Sequence, residues 1–312
     1  MDAIRLSVLI ACLNAQQTLG AQLEALATQD CPVPWELLIC DNGSTDDTAA
    51  VVERYADRLP VRLIDAGARR GAAAARNVGA RSARGEWLAF CDADDVVAED
   101  WLATVCAALT EHRFVAGRFD GELLNSARAR RSRPLDQQTG LQGGTDGTLP
   151  HAGAGNMGIH REVFLAVGGF DPSVPCLEDT DLCWRVQRTG VELVFVPEVV
   201  VHVRLRSTWR AMYRQGRDYG RAYADLQGRQ ATSRDVVPGR VDGAGGDGGH
   251  VPASPRTGPV ARLSGLVTAW LGTPPSLARL VWQWGWHRGY HAAVAERRNR
   301  PAVEGPPRTG WS

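Results

Sequence analysis

Apolar residues in this chain fall into two alternating rhythms. Leu6-Ser7-Val8-Leu9-Ile10-Ala11-Cys12-Leu13 is a nearly continuous apolar run, followed at once by Asn14. Runs of this length read as strands buried on both faces. From Thr18 onward, Leu19, Leu23 and Leu26 recur at helical spacing until Pro32 and Pro34 end the pattern. Trp35-Glu36-Leu37-Leu38-Ile39-Cys40 restores the first rhythm and runs into Asp41-Asn42-Gly43-Ser44-Thr45-Asp46-Asp47. Asn-Gly supplies a turn there, and Ser44 or Thr45 a cap for a helix through Val51, Val52 and Tyr55. Val61 to Ile64 is a short third strand. Gly71 precedes an alanine-rich helix, Ala72 to Ala83, and Trp87 to Cys91 is a fourth strand. Strand alternating with helix four times predicts a right-handed, mostly parallel, Rossmann-like α/β sheet with flanking helices.

The second half of the chain keeps the rhythm less strictly. A helix is expected near Asp100 to Glu111 and a strand from Phe114 to Phe119. Asn125 to Gly147 is basic at first (Arg128, Arg130, Arg131, Arg133) and then rich in Gly, Gln and Thr. It reads as a surface loop, with a phosphate-contacting lid as the alternative. Gly153 to Ile159 is a close-packed turn into a strand, and Arg161 to Val167 a short helix. Glu178-Asp179-Thr180-Asp181 opens a further helix with acids where the N-terminal dipole favours them, and Asp181 can pair with Arg185 at i,i+4. Two strands follow, Val191 to Val196 and Val199 to Val203, and then a Tyr- and Arg-rich helix, Trp209 to Leu226. Val237 to Gly258 is Gly- and Pro-rich and reads as a flexible linker. Beyond it Pro274-Pro275 starts a helix striped with Leu277, Leu280, Val281 and Trp284. The expected organisation is one domain over 1–236 (halves 1–120 and 121–236), a linker over 237–258 and a helical tail over 259–312.

Composition narrows the classes. Acidic and basic residues balance at 35 each in 312 residues, so no bulk charge points to nucleic acid. Seven cysteines is an odd number, and Cys12, Cys40 and Cys91 lie in expected strands, a pattern of reduced core thiols in a cytosolic protein. No signal-peptide pattern leads the chain, and no apolar segment reaches the roughly 20 residues a membrane span needs. The expectation is a soluble protein, at most attached to a membrane surface. The tail, with Trp282, Trp284 and Trp286 among arginines, would contact a lipid interface, its own domain or a second subunit.

The chemistry concentrates at Asp92-Ala93-Asp94-Asp95, directly after the fourth strand. Open parallel sheets bind ligands beyond the carboxyl ends of their strands. Three carboxylates there repel one another. A divalent cation relieves that repulsion, and hard oxygens suit magnesium or manganese, which in turn suit a diphosphate. An acidic strand-to-helix turn is the plainer alternative. His202, at the end of its strand, falls near the same rim if the sheet is continuous.

With these segments in order, the chain resembles the family-2 glycosyltransferases, inverting enzymes of GT-A-type fold. The matching segments are Ser7 to Asn14, Asp41 to Asp46, Gly71 to Asn77, Asp92 to Asp95 and Glu178 to Asp181, so the likeness covers about Leu6 to Arg206. The resemblance implies a nucleotide-sugar donor across the ends of the first four strands. Asp41 would hold the base, Ala11 and Asn14 would line the nucleotide pocket, Arg76 would pair with the diphosphate, and Asn156 would also face the donor. Asp92 would touch the ribose or the metal, Asp94 would hold the Mn2+ or Mg2+, and His202 would complete that site. Asp179 would be the catalytic base, with Glu178 steering the acceptor or substituting for it. The acceptor would be a glycan, a lipid-linked sugar or a small molecule, reached from the cytoplasm or from the inner face of the membrane. Leu13 stands where similar enzymes often carry a tyrosine that stacks on the base, and Asn42 stands for a frequent second aspartate. Competing classes are a nucleotidyltransferase of similar sheet, which would want a basic glycine-rich loop after the first strand, and a catalytically idle nucleotide-sugar-binding scaffold.

Overall fold

A computed structural model describes residues 3–132, 135–144, 149–205, 208–234 and 277–298. The chain divides into two compact units, Met1–Ser207 and Thr208–Ser312.

The first unit is built on an eight-stranded sheet in the order β3-β2-β1-β4-β9-β6-β10-β5. Its strands are β1 (Leu6–Cys12), β2 (Trp35–Asp41), β3 (Val61–Asp65), β4 (Trp87–Asp92), β5 (Val96–Val97), β6 (Phe114–Asp120), β9 (Asn156–His160) and β10 (Val194–His202). The short β7 (Gln142–Gly143) and β8 (Pro150–His151) pair separately. β1, β2, β3 and β4 are mutually parallel, as the alternating rhythm predicts. β9 runs antiparallel between β4 and β6, so the sheet is mixed in its second half.

The continuous apolar runs arise because alternate residues serve two cores. Leu6, Val8 and Ile10 of β1, with Trp87, Ala89 and Cys91 of β4, face α1 (Leu19–Ala27), α2 (Thr48–Glu53) and α4 (Trp101–Glu111). Leu9, Leu38, Leu88 and Phe90 face the other way, onto α3 (Ala72–Ser82), α6 (Arg161–Ala166) and α7 (Glu178–Gln187). Phe90, Phe164 and Phe170 meet there with ring centroids 5.4 to 5.6 Å apart.

Several expectations needed adjustment. The two strands foreseen on either side of Pro197 are one strand, β10, with a register shift between Val196 and Val200. Proline cannot donate to a ladder, but a bulge accommodates it without ending the strand. Helix α2 begins at Thr48: the hydroxyls of Ser44 and Thr45 bond to Asp41 and Asn14 instead, and Asp46 accepts from the Thr48 amide at 3.1 Å. The segment 125–147 is partly regular, containing α5 (Ala127–Ser132) and β7.

The second unit contains α8 (Trp209–Arg234) and α9 (Leu277–Arg298). α8 was expected to close the first domain; instead it groups with the tail helix. The pairing is made by glycines. A Cβ on Gly216 or Gly220 would overlap the backbone of Trp282 or Trp286, and one on Gly285 or Gly289 would overlap that of Tyr213 or Arg217. Leu277, Leu280 and Trp284 of the expected stripe are exposed. The foreseen linker and the tail outside 277–298 lie beyond the described residues. Among the described residues no helix is long and apolar enough to cross a membrane.

Candidate active site

Because β1, β2 and β4 are parallel, the residues that follow them share one rim. Asp41 ends β2 and accepts hydrogen bonds from the Ser44 amide (3.0 Å) and hydroxyl (2.5 Å). Asn14, just beyond β1, has a left-handed φ of 52° and accepts a hydrogen bond from the Thr45 amide at 2.8 Å. Its own amide donates to the Ser44 hydroxyl at 2.9 Å, so the two strand exits are laced together. Leu13 stands half-exposed beside them, and Ala11 is part-buried opposite Asp92 in the β1–β4 register.

Asn42 explains why an amide replaces an acid there. Its Nδ2 donates to the carbonyls of Ala66 (2.6 Å) and Arg69 (2.8 Å), while its Oδ1 accepts from the Gly71 amide (2.7 Å). An aspartate could not donate to either carbonyl. The residue therefore ties the β2 exit to the start of α3.

Helix α3 carries Arg76, only 5% exposed. Its Nη2 lies 2.6 Å from Asp92 Oδ1 and its Nη1 lies 3.0 Å from Glu178 Oε1, and the guanidinium sits 5.5 Å from the Phe170 ring centre. Burial works against its charge, but Asp92 and Glu178 outweigh it and hold the group protonated beyond its usual range. Arg76, expected at the diphosphate, is paired here with Asp92 and Glu178 through its two terminal nitrogens, while its buried Nε has no hydrogen-bond partner. What the arginine does is bridge two acids 86 positions apart in the chain (178 − 92).

The acidic turn after β4 is held from two sides. Gln22, fully buried on α1, donates to the Asp92 carbonyl at 3.4 Å and accepts from the Val97 amide at 2.9 Å. From the other side the Arg204 amide donates to Asp95 Oδ1 at 2.8 Å, and Arg204 Nε to the Asp94 carbonyl at 3.1 Å. Burial, with repulsion from Asp92, pushes the Asp95 carboxyl up to about 8. Asp92 and Asp94, by contrast, are part-exposed.

β10 brings His202 to this turn, since His202 pairs with Val96 in the sheet register. Its Nδ1 is buried without a hydrogen-bond partner and lies 3.7 Å from Asp120 Oδ1. Asp120, the last residue of β6, was missed in the sequence, although a carboxylate at the end of an apolar strand is the same signal that singled out Asp92. Among the described residues no three His, Cys, Asp or Glu side chains are already gathered around a single metal position. The donor chemistry suits a hard cation: Asp92 and Asp94 are part-exposed carboxylates at the rim, and His202, opposite Val96 in the sheet, has a buried imidazole nitrogen without a hydrogen-bond partner.

The antiparallel β9 enters the sheet at the rim, so the residues before it face the cleft. Gly155 packs so closely that an added Cβ would lie 2.8 Å from Asp92 Oδ2. Gly153, two residues earlier, is within 3.8 Å of Asp179 Oδ2 by the same measure, and the Ala154 amide donates to that oxygen at 3.3 Å. The turn thus joins Asp92 to Asp179. Asn156 itself is fully buried: its Oδ1 accepts from the Trp101 indole and its Nδ2 donates to the carbonyls of Arg118 and Val199. With no exposed surface, its side chain is spent on these internal bonds and not turned to the cleft. Asp179 sits in the first turn of α7 after Leu177, whose φ of 64° swings the chain into the cleft. Burial raises its carboxyl above the ordinary aspartate range despite the amides of Thr180 and Ala154, and burial with repulsion from Asp179 likewise raises Glu178. The expected Asp181–Arg185 pair forms at 2.7 Å, and Arg185 also holds the carbonyls of Val167 and Gly169.

The sequence profile of Glycosyl transferase family 2 matches residues 7–168. The chain belongs to this family. The match includes Asp41, Arg76, Asp92 and Asp94 and stops before Asp179 and His202. An uncharacterized glycosyltransferase of Haemophilus influenzae is 30% identical over 187 residues, 58% of this chain and 61% of that protein. The UDP-Glc:alpha-D-GlcNAc-diphosphoundecaprenol beta-1,3-glucosyltransferase WfgD of Escherichia coli is 34% identical over 103 residues, 33% of this chain and 38% of its own length. The matches thus span less than two thirds of either relative. Among solved structures, the mannosyltransferase PcManGT from Pyrobaculum calidifontis, in complex with GDP-Man and Mn2+, aligns with a TM-score of 0.57 at 20% identity over 96% of this chain and 77% of its own. Staphylococcus aureus TarS bound to UDP-GlcNAc aligns at 0.51 and 17% identity over 73% of each chain. At such identities the likeness speaks to the fold alone, the GT-A type of this family.

Proposed function

We propose that the chain is a metal-assisted inverting glycosyltransferase that moves a sugar from a nucleoside-diphosphate donor to an acceptor hydroxyl. The observation that carries this reading is the Arg76 bridge, which brings the rim carboxylate Asp92 and the acidic pair Glu178-Asp179 to one cleft. The base and ribose lie over Asn14, Leu13, Ala11 and Asp41, Leu13 offering an aliphatic face where an aromatic ring would stack. Asp92, Asp94 and His202 are the residues that would hold Mn2+ or Mg2+. A bound cation supplies positive charge to a diphosphate in a site whose own charge is negative. Arg76 holds the Asp92 and Glu178 side chains in place through its two terminal nitrogens, and Asn156 positions the Gly153–Gly155 turn.

Asp179 takes the proton of the acceptor hydroxyl as its oxygen attacks the anomeric carbon opposite the departing nucleoside diphosphate. Its raised proton affinity suits a base, since proton transfer is most efficient when the catalytic group titrates nearer the working pH. The acceptor side is lined by Gln137, Gln138, Thr139, Gln142 and His151 around a cavity of about 490 Å³, and Gln137 also accepts from the Gly153 amide at 2.8 Å. An amide-rich wall suits the hydroxyls of a glycan or a lipid-linked sugar. Exposed Leu277, Leu280 and Trp284 beside Arg288 suit contact between the tail and a membrane surface that presents such an acceptor.

A thermal-shift screen of nucleotide sugars with and without manganese tests the reading. One nucleotide class should stabilise the protein in a manganese-dependent way, and its sugar should appear on product with inverted anomeric configuration. Stabilisation by no nucleotide, or a product of retained configuration, contradicts it.

A further inference from the structure

The base of the sheet, away from the nucleotide rim, holds a second reactive arrangement. Cys31 lies in the connection between α1 and β2, and Cys106 lies in the middle of α4; their sulfurs are 4.0 Å apart. Cys31 is part-exposed and Cys106 is buried, whereas Cys12, Cys40, Cys91 and Cys183 are sealed in the cores. The two segments are already fastened to each other, since the Leu102 amide donates to Gln29 Oε1 at 2.8 Å. Closing the sulfurs to the roughly 2.05 Å of a disulfide therefore asks for about 2 Å of movement at a loop residue, not for a shift of the helix. A hydrogen bond from the Cys106 thiol, outweighing burial, brings Cys31 down to about 7, while burial pushes Cys12, Cys40, Cys91 and Cys183 up.

We propose that Cys31 and Cys106 form a dithiol site that closes to a disulfide by exchange with a small-molecule disulfide, clamping the α1–β2 connection to α4. The Cys31 thiolate attacks one sulfur of the reagent, breaking its S–S bond and releasing one thiolate. Cys106 then loses its proton and attacks Cys31 Sγ, releasing the second thiolate. Two protein thiols are oxidised and one external disulfide is reduced to two thiols. The clamp acts on the helix whose first residue, Trp101, holds Asn156.

The test uses the full chain and glutathione disulfide at pH 7. The expected result is loss of two hydrogens by intact mass, a Cys31–Cys106 linked peptide, a melting temperature raised by roughly 5–10 °C, and reversal by dithiothreitol. Cys106→Ala should stop at a glutathione adduct on Cys31. In the unmodified protein, Cys31 should react with iodoacetamide at pH 7 about tenfold faster than Cys176, and Cys106→Ala should erase that advantage. A disulfide at another pair, or equal rates for Cys31 and Cys176 in the folded chain, overturns the proposal without bearing on the glycosyltransferase site.

Discussion

The parallel half of the sheet and its mixed half present polar groups to the same rim by opposite routes. β1, β2 and β4 point their carboxyl ends at it, so Asn14, Asp41 and Asp92 appear where an apolar run stops. β9 points its amino end there, so the residues that face the cleft precede the strand, and they are Gly153, Ala154 and Gly155. The first half supplies side chains and the second supplies backbone with almost nothing attached. The lesson is one of spacing: a side chain at Gly155 would crowd the carboxylate of Asp92, so the turn can lie against Asp92 while its Ala154 amide reaches Asp179 only if that position is bare.

That comparison can be broken in several ways. Asp179→Asn should lower turnover by about a thousandfold while donor affinity stays within twofold, because only proton removal is lost; steady-state kinetics and calorimetry separate the two. Arg76→Ala leaves Asp92 and Glu178 unpaired and should cost about 3 kcal/mol in urea unfolding, toward the lower end for a broken ion pair because Asp92 is 37% exposed. Gly155→Ala should preserve the fold but displace Asp92, lowering kcat/KM by about thirtyfold, whereas Gly153→Ala, whose Cβ meets Phe119 at 3.1 Å and Asp179 only at 3.8 Å, should cost less. Asn42→Asp forfeits two donated hydrogen bonds and should destabilise by about 2 kcal/mol in the same unfolding assay. The gentlest effect is on pH. Asp179 works unprotonated and its carboxyl is raised, so activity should fall as pH drops through that raised value. The acid limb of the kcat profile should therefore lie above the ordinary aspartate range.

The parallel half was legible because buried parallel strands must be apolar throughout, so a polar residue at the end of one is conspicuous. Asp92 and Asp94 stood out for that reason, and Asp120 should have, whereas Asp41 was named through the family resemblance. Gln22, Asn42 and Arg76 were harder to read, because their work is done by partners 70 and 75, 24 to 29, and 16 and 102 residues away, and nothing local distinguishes a clamp from a surface residue. Asn156 was expected to face the donor through the family resemblance alone, yet β9 begins with it and buries it. The boundary near residue 208 was hidden for a different reason: α8 and α9 pair where glycines let their backbones approach, and Leu277, Leu280 and Trp284 of the apolar stripe are exposed, so the stripe does not mark the paired face.

The most direct measurement is a crystal of the full chain grown with manganese and a nucleoside diphosphate, with the metal located by its anomalous scattering. The account predicts a peak bonded to Asp94 and to the diphosphate, on the Asp92 side of the Gly153–Gly155 turn, with Asp179 facing the open side of the phosphate. A nucleotide seated away from the ends of β1, β2 and β4, or a metal held without Asp92 or Asp94, would contradict it.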